Sequence, residues 1–406
     1  MSRLMPRFIR TNPSLAVFAL LATAMSGYGQ TYFISVFGTS IRADFGLSNT
    51  EYGTYYSLAT LASALVLLKA GALVDRWSLP AVTSLALGLL TAGCLLIGLS
   101  LHWLMLIPGF FLIRFGGQGM LAHIGFTAAS RYFERDRGKV MALTVSGFPL
   151  AEAILPAAAG LLLAGVGWRM PWLAAAAILL VLALPLMRWL SRDAPRPAEI
   201  RQQEQARGEH AGLTRGQALR DPGLYMILPA ALAVPFIVTA VLFHQTAIAE
   251  VRGWPLERVA LAFTGFAAGH FLSLFIAGPL VDRLGSRLGL ALGLWPMITG
   301  LLVLALTDAL WTPFLYLACT GISQGFASTA SNALWPDRYG VGHIGAIRAL
   351  AQAVMVFSTA ASPIMAGALL DADTTPAQLA LGLGAGAALA SVLVLFAPKA
   401  PASADG

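Results

Sequence analysis

The chain has 406 residues, 57% of them apolar and only 11% charged, with a mean hydropathy of +0.74. Soluble domains carry about 25% charged residues, so this composition excludes a globule that covers itself in water and makes the bilayer the solvent. The net charge is +7, but the basic residues lie between apolar runs, which is the positive-inside pattern and not a nucleic-acid surface.

At the N-terminus, Arg3, Arg7 and Arg10 precede an apolar run in which "ATA" at 22–24 imitates a signal-peptide cleavage site. The run continues to Ile41, too far for a leader, and reads as a retained first span. A span needs about 20 apolar residues. Twelve are expected, over 14–41, 51–71, 80–101, 104–129, 139–164, 171–190, 222–248, 256–278, 288–307, 311–333, 344–369 and 376–397. Ser48 and Glu51 have the spacing of a capping box at the second. Pro222, Pro255 and Pro376 mark first turns of later spans. The polar stretch 191–221 reads as a solvated cytoplasmic linker between six-span halves at 1–190 and 222–406. Cys94 and Cys319 both lie inside apolar runs and are expected to be small fillers, with neither disulfide nor metal.

The halves are related. "GALVDRWSLP" begins at Gly71 and "GPLVDRLGSR" at Gly278, an offset of 278 − 71 = 207. The same offset joins Gly46 to Gly253, Gly138 to Gly345, Pro156 to Pro363 and Gly160 to Gly367, while Gln118-Gly119 meets Gln324-Gly325 at 206. Matching Asp, Arg and Pro argue for duplication. With the N-terminus in the cytoplasm, Arg76, Arg131, Arg135, Arg137, Lys139, the linker arginines, Arg283, Arg287, Arg338 and Lys399 lie inside, and only Arg42, Arg169, Arg252 and Arg258 outside.

A charge at the bilayer centre costs about 2.5–3.5 kcal/mol on insertion scales and faces a cavity or a partner. Arg114 in the fourth span and Glu152 in the fifth sit at matching depth, about 15 and 18 Å from the outer end at 1.5 Å per residue. They are expected to form a direct or water-bridged couple. Glu152 is the expected proton carrier, because a carboxyl can take up and release a proton where an arginine stays charged. Polar stripes run along span 1 (Tyr28, Thr31, Tyr32, Ser35), span 10 (Thr320, Ser323, Gln324, Ser328, Ser331) and span 11 (Arg348, Gln352, Met355, Thr359, Ser362). Each stripe is either cavity lining or glue between helices.

Twelve spans, a six-plus-six repeat and the doubled knot resemble the major facilitator superfamily, whose loop signature runs roughly G-x-L-x-D-R-x-G-x-R/K. Gly278, Leu280, Asp282, Arg283, Gly285 and Arg287 match it throughout; Gly71, Leu73, Asp75 and Arg76 match its first part, with Ser78 and Pro80 departing. The resemblance implies an all-α membrane fold of two pseudo-symmetric six-helix bundles. It also implies cytoplasmic gate loops at Gly71, Asp75, Arg76, Gly278, Asp282 and Arg283. In those loops the glycine would permit close helix approach, the Asp would face a helix N-terminus and the Arg would anchor in headgroups. Spans 1, 4, 7 and 10 line the central path in that family. This assigns Tyr28, Tyr32, Gln118, His244, Gln245 and Gln324 to a substrate cavity, to which His270, Arg348 and Gln352 are added as polar groups of neighbouring spans. His270 and His123 read equally as packing residues or as ligands, and Arg348, about 7 Å from the inner end of its span, reads equally as snorkelling to the interface. "RYFERDRGK" at 131–139 is similar to the corresponding loop of monocarboxylate and oxalate–formate carriers.

The expectation is a monomeric, proton-coupled secondary transporter of the bacterial inner membrane, both termini cytoplasmic. It would move a small organic solute such as a monocarboxylate and have no cofactor or nucleic-acid partner. The alternative is efflux of a drug, with Tyr28, Tyr32, Phe243 and Phe266 stacking on it. A transporter-like sensor is a third possibility, which a signalling domain would mark. No nucleotide loop, metal quartet or nucleophile elbow points to an enzyme.

Overall fold

The computed structural model describes residues 12–133, 136–195, 213–340 and 344–398. Arg3, Arg7, Arg10, Arg135, Lys399 and most of the linker lie outside the described residues. Among the described residues the chain is all-helical. Ten helices are long and apolar enough to cross a membrane: α2 (Asn49–Arg76), α3 (Leu79–Gly98), α4 (Trp103–Tyr132), α5 (Gly138–Val166), α6 (Arg169–Ser191), α7 (Pro222–Phe243), α8 (Leu256–Leu284), α9 (Ser286–Leu306), α11 from Leu350 to Asp371, and α12 (Pro376–Leu395). The full α11 runs Ile344–Asp371. Two more complete the set. The apolar α1 (Pro13–Gly29) is shorter, and α10 (Thr312–Tyr339) carries the polar stripe that lowers its hydropathy. The chain divides into two compact units, Met1–Leu47 with Thr54–Arg207, and Ser48–Gly53 with Gly208–Gly406.

The repeat is legible in the backbone itself. Gly46 and Gly253 both take φ +65°. Leu47 N–H donates to Arg42 O and Trp254 N–H to Ala249 O, each at 2.9 Å, the same left-handed helix stop. Phe37 (φ −98°, ψ −3°) and His244 (φ −96°, ψ 16°) carry the same kink 207 residues apart. The copies part at the knot. Gly285 takes φ +84°, whereas Ser78, in the matching place, stays at φ −63°; a side chain disfavours the left-handed region.

The knots correct the expectation of a loop. Gly278 to Leu284 continue α8 as helix, and Leu73–Arg76 form a helical turn ending α2. A Cβ on Gly278 would meet open space, so that glycine is not needed for close approach. Asp75 pairs with Arg131, which also donates to Val74 O at 3.2 Å. Asp282 and Arg283 are exposed, and Arg287 donates to Val394 O at 2.8 Å and to Leu395 O, closing the end of α12.

Close approach is concentrated between α8 and α10. Gly265 and Gly269 of α8 lie against Phe314 and Ala318 of α10, and Gly321 and Gly325 of α10 against Phe266 and Ser273 of α8: a Cβ on Gly269 would lie 2.2 Å from Ala318 O, and one on Gly321 2.0 Å from Phe266 O. Both pairs have G-x-x-x-G spacing, which lets membrane helices touch backbone to backbone.

Helix starts are capped as read, and more thoroughly. Ser48 N–H donates to Glu51 Oε2 at 2.9 Å and Glu51 N–H to Ser48 Oγ at 3.1 Å. Asp371 covers the same helix start, accepting from Asn49 and Thr50 N–H at 3.1 and 2.8 Å and from the Thr50 hydroxyl at 2.6 Å. Thr375 and Gln378 form a second box at α12.

The linker's end is not merely solvated. Leu213 is buried and its N–H donates to Tyr339 O at 2.9 Å; Arg215–Leu219 is a helix. Asp221 caps α7 through Gly223 N–H at 2.9 Å and accepts from Arg338 at 2.6 and 2.9 Å and from the Tyr339 hydroxyl at 2.8 Å. Burial alone would raise this carboxyl, but the Arg338, Tyr339 and Gly223 hydrogen bonds outweigh it and hold it below the ordinary carboxylate range.

Two outcomes follow. Gly321→Ala should lower thermal stability by about 1–3 kcal/mol through overpacking, whereas Gly382→Ala on α12, where a Cβ meets nothing, should be neutral or stabilising by up to about 1 kcal/mol; melting of the purified protein checks the contrast. For Asp221, the lowered folded value means its stabilisation is whole above about pH 4 and fades as pH falls through that value. Asp221→Asn should melt earlier than the native protein at about pH 7, and the gap should narrow as pH falls below about 4.

Candidate functional site

In the first unit, α1 ends in a 3₁₀ turn at Ser26–Gly29, and Gln30 is extended (φ −90°, ψ 155°) before short helical turns carry the chain to Phe45. The break leaves carbonyls without helical donors, a costly state away from water. Arg114 answers it. The arginine is 2% exposed, donates Nη1–H to Gly29 O at 3.0 Å, and places its guanidinium 5.2 Å from the Tyr56 ring centre. Tyr56 OH in turn shares a hydrogen bond with Thr31 Oγ1 at 2.8 Å, and Arg114 Nε lacks a partner.

Arg114 opens a π-helical stretch, Arg114–Leu121, in the middle of α4. A π turn holds one residue more than an α turn, and the stretch lies where the repeat offset reads 206 in place of 207. Its glycines let the broken α1 approach: a Cβ on Gly29 would lie 2.1 Å from Ile113 O, and one on Gly117 2.9 Å from Gly29 Cα. Gln118 is half-buried in the same stretch.

Glu152 is 4% exposed on α5, about one turn of helix ahead of a helix-interior proline, Pro156. It lies close enough to Tyr32 for charge interaction. A Cβ on Gly27 would meet Tyr32 Oη at 2.6 Å and Ala151 Cβ at 2.8 Å, so α1 and α5 touch beside the glutamate. Arg114 and Glu152 thus flank one discontinuity, and both are buried. Tyr28 is buried and packs edge-on to Phe33 at 5.2 Å.

In the second unit, His244 Nε2 lies 2.8 Å from Pro363 O, and Gln245 Oε1 accepts from the Tyr316 hydroxyl. Both residues sit at the kink that ends α7. His270 is buried beside Phe266, ring centres 6.2 Å apart, and His123 is exposed. Gln324, Arg348 and Gln352 share a cavity of about 300 Å³ between α7, α10 and α11. Gly71, Asp75, Arg76, Gly278, Asp282 and Arg283 occupy the helix ends described above and enter neither group. Tyr56 was missed from sequence because one aromatic in an apolar span carries no distinguishing pattern; the break at Gln30 was missed because Gly27 and Gly29 flank it without a proline.

A family model described as the Major Facilitator Superfamily matches residues 19–263 and 244–406. Solved structures of a bacterial homolog of the human lysosomal transporter Spinster, inward-facing, share the fold. The unoccupied form has a TM-score of 0.68 at 16% identity, covering 95% of this chain and 94% of that one; the occupied form has 0.67 at 16% identity, covering 97% and 95%. No curated protein matches the chain. Twelve helices, a duplicated backbone and a family match across nearly the whole length give one conclusion: this is an all-α membrane protein of two six-helix bundles, and the chain belongs to the Major Facilitator Superfamily.

Proposed function

We propose that the chain is a proton-coupled secondary transporter, not an enzyme, that moves a small organic solute such as a monocarboxylate by alternating access. The observation that carries the reading is the pair of buried ionisable residues, Arg114 and Glu152, flanking the discontinuity of the first span. Buried charge in a membrane helix marks ion and substrate paths, and broken helices mark binding sites in secondary transporters. Glu152 takes up and releases the proton. Arg114 holds the broken backbone and sets the local charge. Solute contacts are assigned to Tyr28, Tyr32 and Gln118 within the first unit and, separately, to His244, Gln245, His270, Gln324, Arg348 and Gln352 within the second. Family membership supports the alternating-access part of this reading. The protein works as a monomer in a bacterial inner membrane, with both termini in the cytoplasm, as the distribution of Lys and Arg favours.

Efflux of a large apolar drug has less support. Tyr28, Tyr32, Phe243 and Phe266 are all buried, and Phe243 stacks on Tyr52 at 4.9 Å, so these rings pack against protein.

In proteoliposomes with an imposed pH gradient, Glu152→Gln should abolish gradient-driven organic-acid uptake and leave solute exchange partly intact. Gradient-driven uptake that persists in the variant removes Glu152 from the coupling mechanism.

A further inference from the structure

The cavity between α7, α10 and α11 lies wholly within the second unit. Its fifteen lining residues include one cation, Arg348, and no carboxylate. Gln324, Ser331 and Gln352 add neutral polar groups, and Leu228, Pro235 and Trp335 form much of the apolar wall. Gln324 Oε1 is buried without a partner.

Arg348 is held there for a structural reason. Pro336 lies inside α10 and has no N–H, so the carbonyl four residues earlier, Asn332 O, loses its helical donor. Arg348 Nη2–H supplies the replacement at 3.1 Å. One corner of the guanidinium is thereby fixed by the backbone, and the other donors of the fork stay available. Among the described residues no acid pairs with it. An oriented guanidinium with free donors, in a cavity without a counter-charge, is complementary to a carboxylate, which it can bind through two parallel hydrogen bonds. The rest of the wall suits a compact apolar body lying against the Trp335 face, a ring that is 6% exposed and stacked parallel to Tyr339.

We propose that this cavity binds a small monocarboxylate with an apolar body, its carboxylate on Arg348 and its body against Trp335. The proposal rests on the transport reading and gives it a substrate site within the second unit. A dianion is disfavoured, because a second charge would have no cation to meet.

The test uses the full chain in lipid nanodiscs, with benzoate as probe and benzamide as its neutral counterpart, read by tryptophan fluorescence and melting temperature. Benzoate should bind saturably and raise the melting temperature, and benzamide should do neither. Arg348→Gln should weaken benzoate by at least about tenfold, the loss expected for a charge-assisted hydrogen bond. Absence of saturable benzoate binding, equal binding of benzamide, or unchanged affinity in R348Q overturns the site. If R348Q fails to fold because Asn332 O is uncapped, Ser331→Asp replaces it: an added carboxylate on the cavity wall should abolish benzoate binding, and unchanged affinity overturns the proposal. Discs of zwitterionic and of anionic lipid separate solute from headgroup. Equal benzoate affinity in both assigns Arg348 to the solute, and loss of binding in anionic discs assigns it to lipid phosphate and overturns the proposal. Benzoate flux in proteoliposomes distinguishes the two readings: binding without flux removes transport and leaves the site, whereas flux intact in R348Q removes the site and leaves transport.

Discussion

In hydrocarbon every backbone N–H and C=O must find a partner within the protein, and the positions of this chain's arginines follow from that requirement. At several places where a helix ends, breaks or loses a donor to proline, an orphaned carbonyl is met by a side chain from another part of the chain. Arg114 serves Gly29 O, Arg348 serves Asn332 O, Arg287 serves Val394 O, Arg131 serves Val74 O, Arg169 serves Ser100 O at 3.0 Å and Arg252 serves Leu304 O at 2.8 Å. A helix C-terminus also carries partial negative charge, so a cation is the favoured donor there. Thr23 does the same for Thr144 O at 2.5 Å, across the break at the start of α5.

This explains how a chain so poor in charge can keep arginines at membrane depth. For the buried Arg114 the cost of burying a guanidinium is offset by a hydrogen bond that the backbone would otherwise lack; Arg348 is exposed. It also links architecture to function. A capping arginine has five N–H donors and the carbonyl uses one, so the cap leaves an oriented, partly unsatisfied cation at the discontinuity where a transporter gathers solute and ions. Arg114 and Arg348 are two instances, one in each unit, built from different breaks: a 3₁₀ turn in the first and a proline in the second.

Duplication sets the frame and divergence sets the chemistry. The left-handed glycines at 46 and 253 and the kinks at 37 and 244 are shared, so both units inherit the same helix stops. The break at Gln30 has no counterpart, since Ile237 lies inside the continuous α7. The π-helical stretch of α4 likewise has no equivalent in the continuous α10. The close α8–α10 contact, with two glycines on each helix against larger residues of the other, belongs to the second unit.

Hydropathy, the 207-residue offset and the spacing of Lys and Arg were enough to read the class, the number of spans, the duplication and the family, because each depends on composition or on order along the chain. Capping at Ser48 and Glu51 was legible for the same reason, as three residues apart is a local relation. The partners of Arg114, Arg348 and Asp221 were not legible. Each is met by a residue 85, 16 or 117 positions away, and no local rule says which carbonyl a guanidinium reaches. Whether Gly278 is a close contact or open space, and whether the knot is loop or helix, likewise depended on what packs beside it. The sequence by itself determined that the chain must cross the bilayer as two related sets of helices. Only the tertiary structure decided where those helices break and which charge closes each break, because an orphaned carbonyl is satisfied by proximity in space and not by position in the chain.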